Sequence, residues 1–147
     1  MRAVIQRVSK ASVKVDGKTS GEITRGICIL ISMTHTDTNA QMKAMATKCL
    51  NLRVFDSDDK CWKASVMDIH GGVLVVSQFT LYATAKKGTK PDFHLAMSSA
   101  AAVILYESFV ATTRDLYQHG MVHTGVFGGN MQLELVNDGP VTIILET

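Results

Sequence analysis

The sequence runs to 147 residues, 46% hydrophobic and 19% charged, with a formal net charge of +2. That length suits one domain over residues 1–147 with a full core and about 7,400 Å² of folded surface, and the composition excludes a disordered chain. A charge so close to neutral does not mark a nucleic-acid binder by bulk electrostatics.

Taken in chain order, Ala3 to Val8 and Ala11 to Val15 read as strands, and Asp16-Gly17 supplies turn chemistry that folds Ser20 to Ile23 back as a hairpin. Ile27 to Ile31 reads as a buried strand. Thr38 with Gln41 three residues on makes a capping-box signal, and Met42, Met45, Ala46, Cys49 and Leu50 then recur on one face of a helix. Leu52 to Phe55 reads as a short strand. The polar turn Asp56-Ser57-Asp58-Asp59-Lys60 leads to the lone Trp62, with too few oxygen ligands at EF-hand spacing for calcium.

Gly71-Gly72 introduces Val73 to Val76, a continuous apolar run of the kind a strand buried on both faces shows. A basic, glycine-containing loop from Ala83 to Phe93 carries Lys86-Lys87-Gly88-Thr89-Lys90, readable as a solvated loop or as a phosphate contact. A helix is expected over about Met97 to Gln118, with Val103, Tyr106, Val110, Thr113 and Tyr117 on one face and Gly120 as its stop. Met131, Leu133 and Leu135 alternate with polar residues as in a half-buried strand, and Val141 to Leu145 forms the last strand. The expected fold class is α/β, a curved mixed, largely antiparallel sheet with two main helices in a single domain.

Cys28, Cys49 and Cys61 are widely spaced without a C-x-x-C pair, which points away from a disulfide framework and from a cysteine-rich zinc site. His119 and His123 have H-x₃-H spacing, but Gly120 between them breaks the helix such a pair needs, so no metal and no cofactor is expected. Met1-Arg2 passes straight into a strand pattern without a signal-type stretch, and no apolar run reaches bilayer length; a cytoplasmic location is expected.

Two segments carry the functional signal: Ser77-Gln78-Phe79-Thr80-Leu81 where the buried strand leaves the core, and Asn137-Asp138-Gly139-Pro140-Val141-Thr142 between the last two strand candidates. From the residues alone they suggest a cleft of backbone groups and small hydroxyls, with Gly139 admitting a ligand close to the main chain. Ser77 or Thr80 as a nucleophile needs a positioned base, and none stands at an identifying spacing; both read equally as hydrogen-bonding residues that shape the strand end. The main-chain amides of Gln78 and Phe79 are candidate oxyanion donors. Gly139-Pro140 alone reads as a tight turn.

Together the two segments resemble the signature motifs of the D-aminoacyl-tRNA deacylases. Gln6-Arg7-Val8, the Gly17 to Gly26 stretch, Gly71-Gly72 and Thr124-Gly125-Val126-Phe127 extend the resemblance over essentially the whole chain. It implies a two-fold homodimer with active sites at the subunit interface, and hydrolysis of D-aminoacyl-tRNA, with glycyl-tRNA also accepted. Catalysis in the family is thought to rest on main-chain atoms and the 2′-hydroxyl of the terminal adenosine, which places Ser77, Gln78, Phe79 and Thr80 at the catalytic positions. The resemblance further implies that the Gly139-Pro140 bond is cis and enters the partner's site to exclude L side chains. Arg7 would brace that loop, and Phe93 and Phe127 would lie near the adenosine.

The chain departs from the family's usual pattern at Lys90-Pro91-Asp92-Phe93 and at Gly128-Gly129-Asn130. Lys90 there puts a point charge where a forked guanidinium is usual. The related deacylases that clear L-alanine from a threonine tRNA carry alanine at the position of Phe79, so the intact motif argues against them. The competing reading from another class is a non-catalytic DNA- or RNA-binding module working through the 86–90 loop.

Overall fold

Two parallel strands, apolar on both faces, form the centre of the molecule. The computed structural model describes every residue except Lys87 and His119. β3 (Gly26–Ser32) and β6 (Gly72–Ser77) pair in parallel from Gly26↔Gly72 to Ile31↔Ser77. One of their faces sends Ile27, Ile29, Ile31, Val73 and Val75 under the helices, while the other sends Cys28, Leu74 and Val76 into a second, smaller core. This is the two-sided burial that the apolar run Val73 to Val76 predicts.

Around this pair, β1 (Arg2–Val15) runs antiparallel to β3 with its first half and to β2 (Lys18–Ile23) with its second. β8 (Gln132–Glu146) pairs antiparallel with β1 along the opposite edge, and β7 (Val122–Thr124) adds in parallel beyond β6. The sheet order is therefore β2-β1-β3-β6-β7 with β8 on β1. The sheet curls until β2 lies against β6 and β7, and Val8, Ala11, Val13 and Ile23 close on Cys28, Leu74 and Val76. The mixed, curved, largely antiparallel sheet is the expected one.

Helix α1 (Asn39–Asn51) begins at the predicted capping box: the Gln41 amide donates to Thr38 Oγ1, and the Thr38 amide donates to Gln41 Oε1 at 2.8 Å. Its buried face is Met42, Met45, Ala46, Cys49 and Leu50, as the periodicity requires. Helix α2 (Ser99–Leu116) packs beside it over the same face of the sheet. A hairpin of β4 (Phe55–Ser57) and β5 (Lys60–Ala64) lies between α1 and β6, turning on Asp58 and Asp59 with φ of 52° and 58°.

Several expectations are corrected. The separate strands at 3–8 and 11–15 are one strand, because a register shift absorbs the irregularity around Ser9 without ending the pairing. Leu52 to Phe55 is not a strand: Leu52 caps α1, and pairing starts only at Phe55. α2 is shorter than expected at both ends, and its core face is Leu105, Tyr106, Phe109, Val110 and Thr113, with Val103 only half-buried. β7 had no counterpart in the sequence reading. It is too short to show alternation and exists by hydrogen bonding to β6. His123 lies on it, not on a helix, while His119 falls outside the described residues, as does Lys87 of the basic loop.

The cysteines give a direct test of the packing. Cys28 and Cys49 sit in the cores at 0% and 1% exposure, and burial pushes both thiols up to about 12, whereas Cys61 is exposed on β5. Iodoacetamide at neutral pH should add one label to the native chain, at Cys61, and label Cys28 and Cys49 only after denaturation. Intact-mass spectrometry distinguishes this from rapid multiple labelling, which the packing forbids. Among the described residues no helix is long and apolar enough to cross a membrane.

Candidate active site

Parallel strands point their carboxyl ends the same way, and the loops leaving them must diverge, which opens a crevice there. At the ends of β3 and β6 this crevice is a cavity of about 580 Å³. Ser77, Gln78 and Phe79 line it from the end of β6, and Ser32 and Met33 from the end of β3. Phe93, Met97, Phe127 and Met131 line it from other sides.

The segment after β6 is a 3₁₀ turn, Phe79–Tyr82, held from several sides. Arg2 Nη1 donates to the Leu81 carbonyl at 2.5 Å, and its guanidinium stands 4.9 Å over the Tyr82 ring. Ser32 Oγ donates to the Phe79 carbonyl at 3.4 Å. The Phe79 ring is left exposed and meets Phe93 edge-on at 5.1 Å. Phe127 rests at 5.4 Å on Tyr106, whose buried hydroxyl donates to the Val75 carbonyl at 3.0 Å. Burial pushes that phenol up to about 12, so it is a fixed neutral donor and not an acid or base near neutrality.

The two candidate oxyanion donors differ. The Gln78 amide donates to the Ile31 carbonyl at 2.8 Å, continuing the parallel ladder, and is thereby spent. The Phe79 amide, first in the 3₁₀ turn, has no backbone acceptor among the described residues. The N-terminus of α2, represented by Ser99 and Ala102 in the lining and without an acidic residue in its first turn, adds a partial positive end to the same cavity.

Neither Ser77 nor Thr80 has a histidine or carboxylate hydrogen-bond partner among the described residues. The Thr80 hydroxyl instead accepts from Gln78 Nε2 at 2.6 Å. The nearest His–carboxylate pair is His94 with Asp92. The His94 amide and then its ring hold the Asp92 carboxyl below the usual carboxylate range, but both side chains lie outside the cavity on its rim. No group of three or more His, Cys, Asp or Glu residues is placed to hold a metal ion among the described residues.

Gly139 and Pro140 do not line this cavity. β8 is continuous through them, correcting the expectation of a turn between two strands. The register passes from Gln6↔Thr142 to Val8↔Asn137, so the four residues Asp138–Val141 stand opposite Arg7 alone and bulge from the sheet. The Gly139-Pro140 bond is cis, and Gly139 has φ of 124°.

Arg7 holds the bulge from below: Nη1 donates to the Val54 carbonyl at 2.6 Å, while Nε faces the Asp138 carbonyl at 3.1 Å and its carboxylate at 3.3 Å. Asn137 closes it sideways, its Nδ2 donating to the carbonyls of Arg7 and Val141, each at 2.9 Å. The site reading omitted Asn137, although it stands in the second motif. No local pattern marks Arg2 either, since Leu81 and Tyr82 are about eighty residues away and its ion-pair partner Glu146 is farther still.

Residues 4–146 match the family described as D-Tyr-tRNA(Tyr) deacylase. A D-aminoacyl-tRNA deacylase of Schizosaccharomyces pombe is 45% identical, the match covering 100% of this chain and 99% of that one. The human D-aminoacyl-tRNA deacylase 1 is 48% identical over 100% of this chain and 70% of its own length. The solved structure of a c-Myc DNA unwinding element binding protein superimposes with a TM-score of 0.95 at 47% identity, covering 100% of this chain and 99% of that chain. With the family match spanning nearly the whole chain and the relatives matching it end to end, the chain belongs to the D-Tyr-tRNA(Tyr) deacylase family.

Proposed function

We propose that the cavity at the carboxyl ends of β3 and β6 hydrolyses the ester that joins a D-amino acid, or glycine, to the terminal adenosine of tRNA. The observation that carries this is the Ser77-Gln78-Phe79 edge, which offers a free main-chain donor at Phe79 and hydroxyls without a base partner. Water attacks the ester carbonyl carbon, and the Phe79 amide stabilises the oxyanion that forms. The bond to the ribose oxygen then breaks, the leaving oxygen takes the proton that water gave up, and free amino acid and tRNA separate. The substrate's own 2′-hydroxyl is the nearest candidate to relay that proton.

Selection follows by exclusion. In a two-fold homodimer, the Gly139-Pro140 bulge of one subunit enters the cavity of the other, and its backbone faces the substrate's amino group. An L side chain would strike it, a D side chain points away, and glycine has nothing to exclude. Because no pocket is tailored to the side chain, D-amino acids of different size are accepted. The bulge's outward projection and its absence from the cavity of its own chain support this arrangement. So does an exposed surface of 8,255 Å², against roughly 7,400 Å² for a monomer of this length.

The deciding measurement is hydrolysis of D-tyrosyl-tRNA and L-tyrosyl-tRNA side by side, with chelator present. Loss of the D ester alone supports chiral proofreading without a removable metal. A second reading, a non-catalytic nucleic-acid-binding module, draws on the name of the solved relative at 47% identity; tRNA binding with both esters intact would favour it. Thr80→Ala should keep activity within about tenfold, since its hydroxyl only receives a hydrogen bond from Gln78. A loss on the order of 10⁴-fold in a folded variant would instead reinstate a side-chain nucleophile.

A further inference from the structure

Between Thr84 and Asp92 the described residues of the basic loop are exposed at the surface of the protein. Thr84 and Asp92 close it with an isolated antiparallel bridge, each amide donating to the other's carbonyl at 2.8 Å. Beyond the bridge Lys86, Gly88, Thr89, Lys90 and Pro91 are all exposed, and a Cβ added at Gly88, where φ is 83°, would meet nothing within 4 Å. Neither Lys86 nor Lys90 enters an ion pair among the described residues, and the one carboxylate at the base, Asp92, is taken up by His94.

The bridge runs directly into Phe93, whose ring meets Phe79 on the cavity wall. Lys90 is three residues from Phe93, so their Cα atoms are separated by at most about 10 Å. A lysine-bearing loop hinged on an exposed aromatic rim is the combination that single-stranded nucleic-acid sites use: cations for the backbone, π faces for the bases.

We infer that this loop docks the single-stranded 3′ end of tRNA, with Lys86 and Lys90 contacting phosphates of the nucleotides next to the esterified adenosine. The assignment rests on the deacylase reading, which fixes what lies in the cavity. The contact is one of point charges and reads no sequence, so it serves different tRNAs alike.

The test is the double variant Lys86→Ala/Lys90→Ala, assayed on D-tyrosyl-tRNA and on the D-tyrosyl ester of adenosine. Binding of uncharged tRNA is measured in parallel by fluorescence anisotropy over a range of salt concentrations. Expected is a kcat/KM that falls about tenfold more on the tRNA ester than on the adenosine ester, carried by KM. The slope of log Kd against log salt should become shallower by about 1.4, two contacts at roughly 0.7 each for a single strand. Lys86→Arg/Lys90→Arg, which keeps both charges, should retain the wild-type slope.

Equal losses on the two esters, or an unaltered salt slope in the alanine variant, would overturn the assignment. If the wild type cleaves neither ester while the variant still flattens the salt dependence of tRNA binding, the docking surface stands and the deacylase reading falls.

Discussion

Gly139→Ala should lower kcat/KM on D-tyrosyl-tRNA by about 100-fold, some 2.7 kcal/mol of transition-state stabilisation, while the protein stays folded. A Cβ at this position would stand 2.8 Å from Val141 Cγ2 and 3.1 Å from both Arg7 Nη2 and the Val141 amide nitrogen. The φ of 124° adds strain for any L side chain. The bulge can relieve these contacts only by moving away from Arg7 and Val141, and displacing a positioning element by about 1 Å costs on the order of 10² in rate. Because Asp138, Gly139 and Pro140 are exposed and only Val141 of the bulge reaches the larger core, global stability should fall by only about 1–2 kcal/mol. Steady-state kinetics on the D and L esters, with a thermal melt, checks both parts. Wild-type rate and selectivity in the variant would remove the bulge from the proposed site.

Gly26→Ala should strike the fold itself. Gly26 and Gly72 face one another where β3 and β6 begin, and a Cβ on Gly26 would overlap the Gly72 carbonyl oxygen and lie 2.7 Å from its C and N. Those are backbone atoms in the parallel ladder, and Gly72 is itself packed against Ile23, so no side chain can swing aside. Separating the strands here opens both cores at once, since each lines one face of this pair. A loss of about 4 kcal/mol or more is expected, which for a chain of this size lowers Tm by roughly 10 °C or more. Gly17→Ala is the matched control. Its φ is 75° but nothing lies within 4 Å, so only the backbone strain of about 1–2 kcal/mol remains. A Gly26→Ala melt no lower than the control's would refute the close approach.

Features set by short-range chemistry were legible in the sequence. The capping box and the five buried positions of α1 follow from residues within four of one another, and the two-sided burial of β6 follows from its uninterrupted apolar run. α2 was harder for a physical reason. Periodicity found Tyr106, Val110, Thr113 and Tyr117, all of them buried, but the stretch Ala100 to Tyr106 is apolar nearly all round, so it did not mark Leu105 over Val103. In the same way β8 looked like two strands, because the pairing that carries it past Asp138–Val141 comes from β1, far away in sequence.

The candidate site divides along the same line. The first motif marks the end of β6 unaided, but whether an amide there is free depends on β3. Ile31 takes up Gln78 and leaves Phe79. Arg2 acts through Leu81, about 80 residues distant, and Asn137 through Arg7, 130 residues distant, as well as through Val141 four residues on; the distant partners are beyond what local spacing can reveal.

The bulge on β8 also sets a rule of parity. Ala3 and Ile5 face the helix-covered core and Ala11 and Val13 the smaller one, although all four are odd-numbered; the irregularity around Ser9 reverses the alternation of β1. β8 must reverse with it, and it does: Leu133 and Leu135 pack on the small core, Val141, Ile143 and Leu145 on the large one. Four residues opposite one is an odd surplus, which performs that inversion. Val141, Ile143 and Leu145 thus reach the larger core only because the segment carrying Gly139-Pro140 inverts the facing of β8, which ties an exposed loop to the hydrophobic interior behind it.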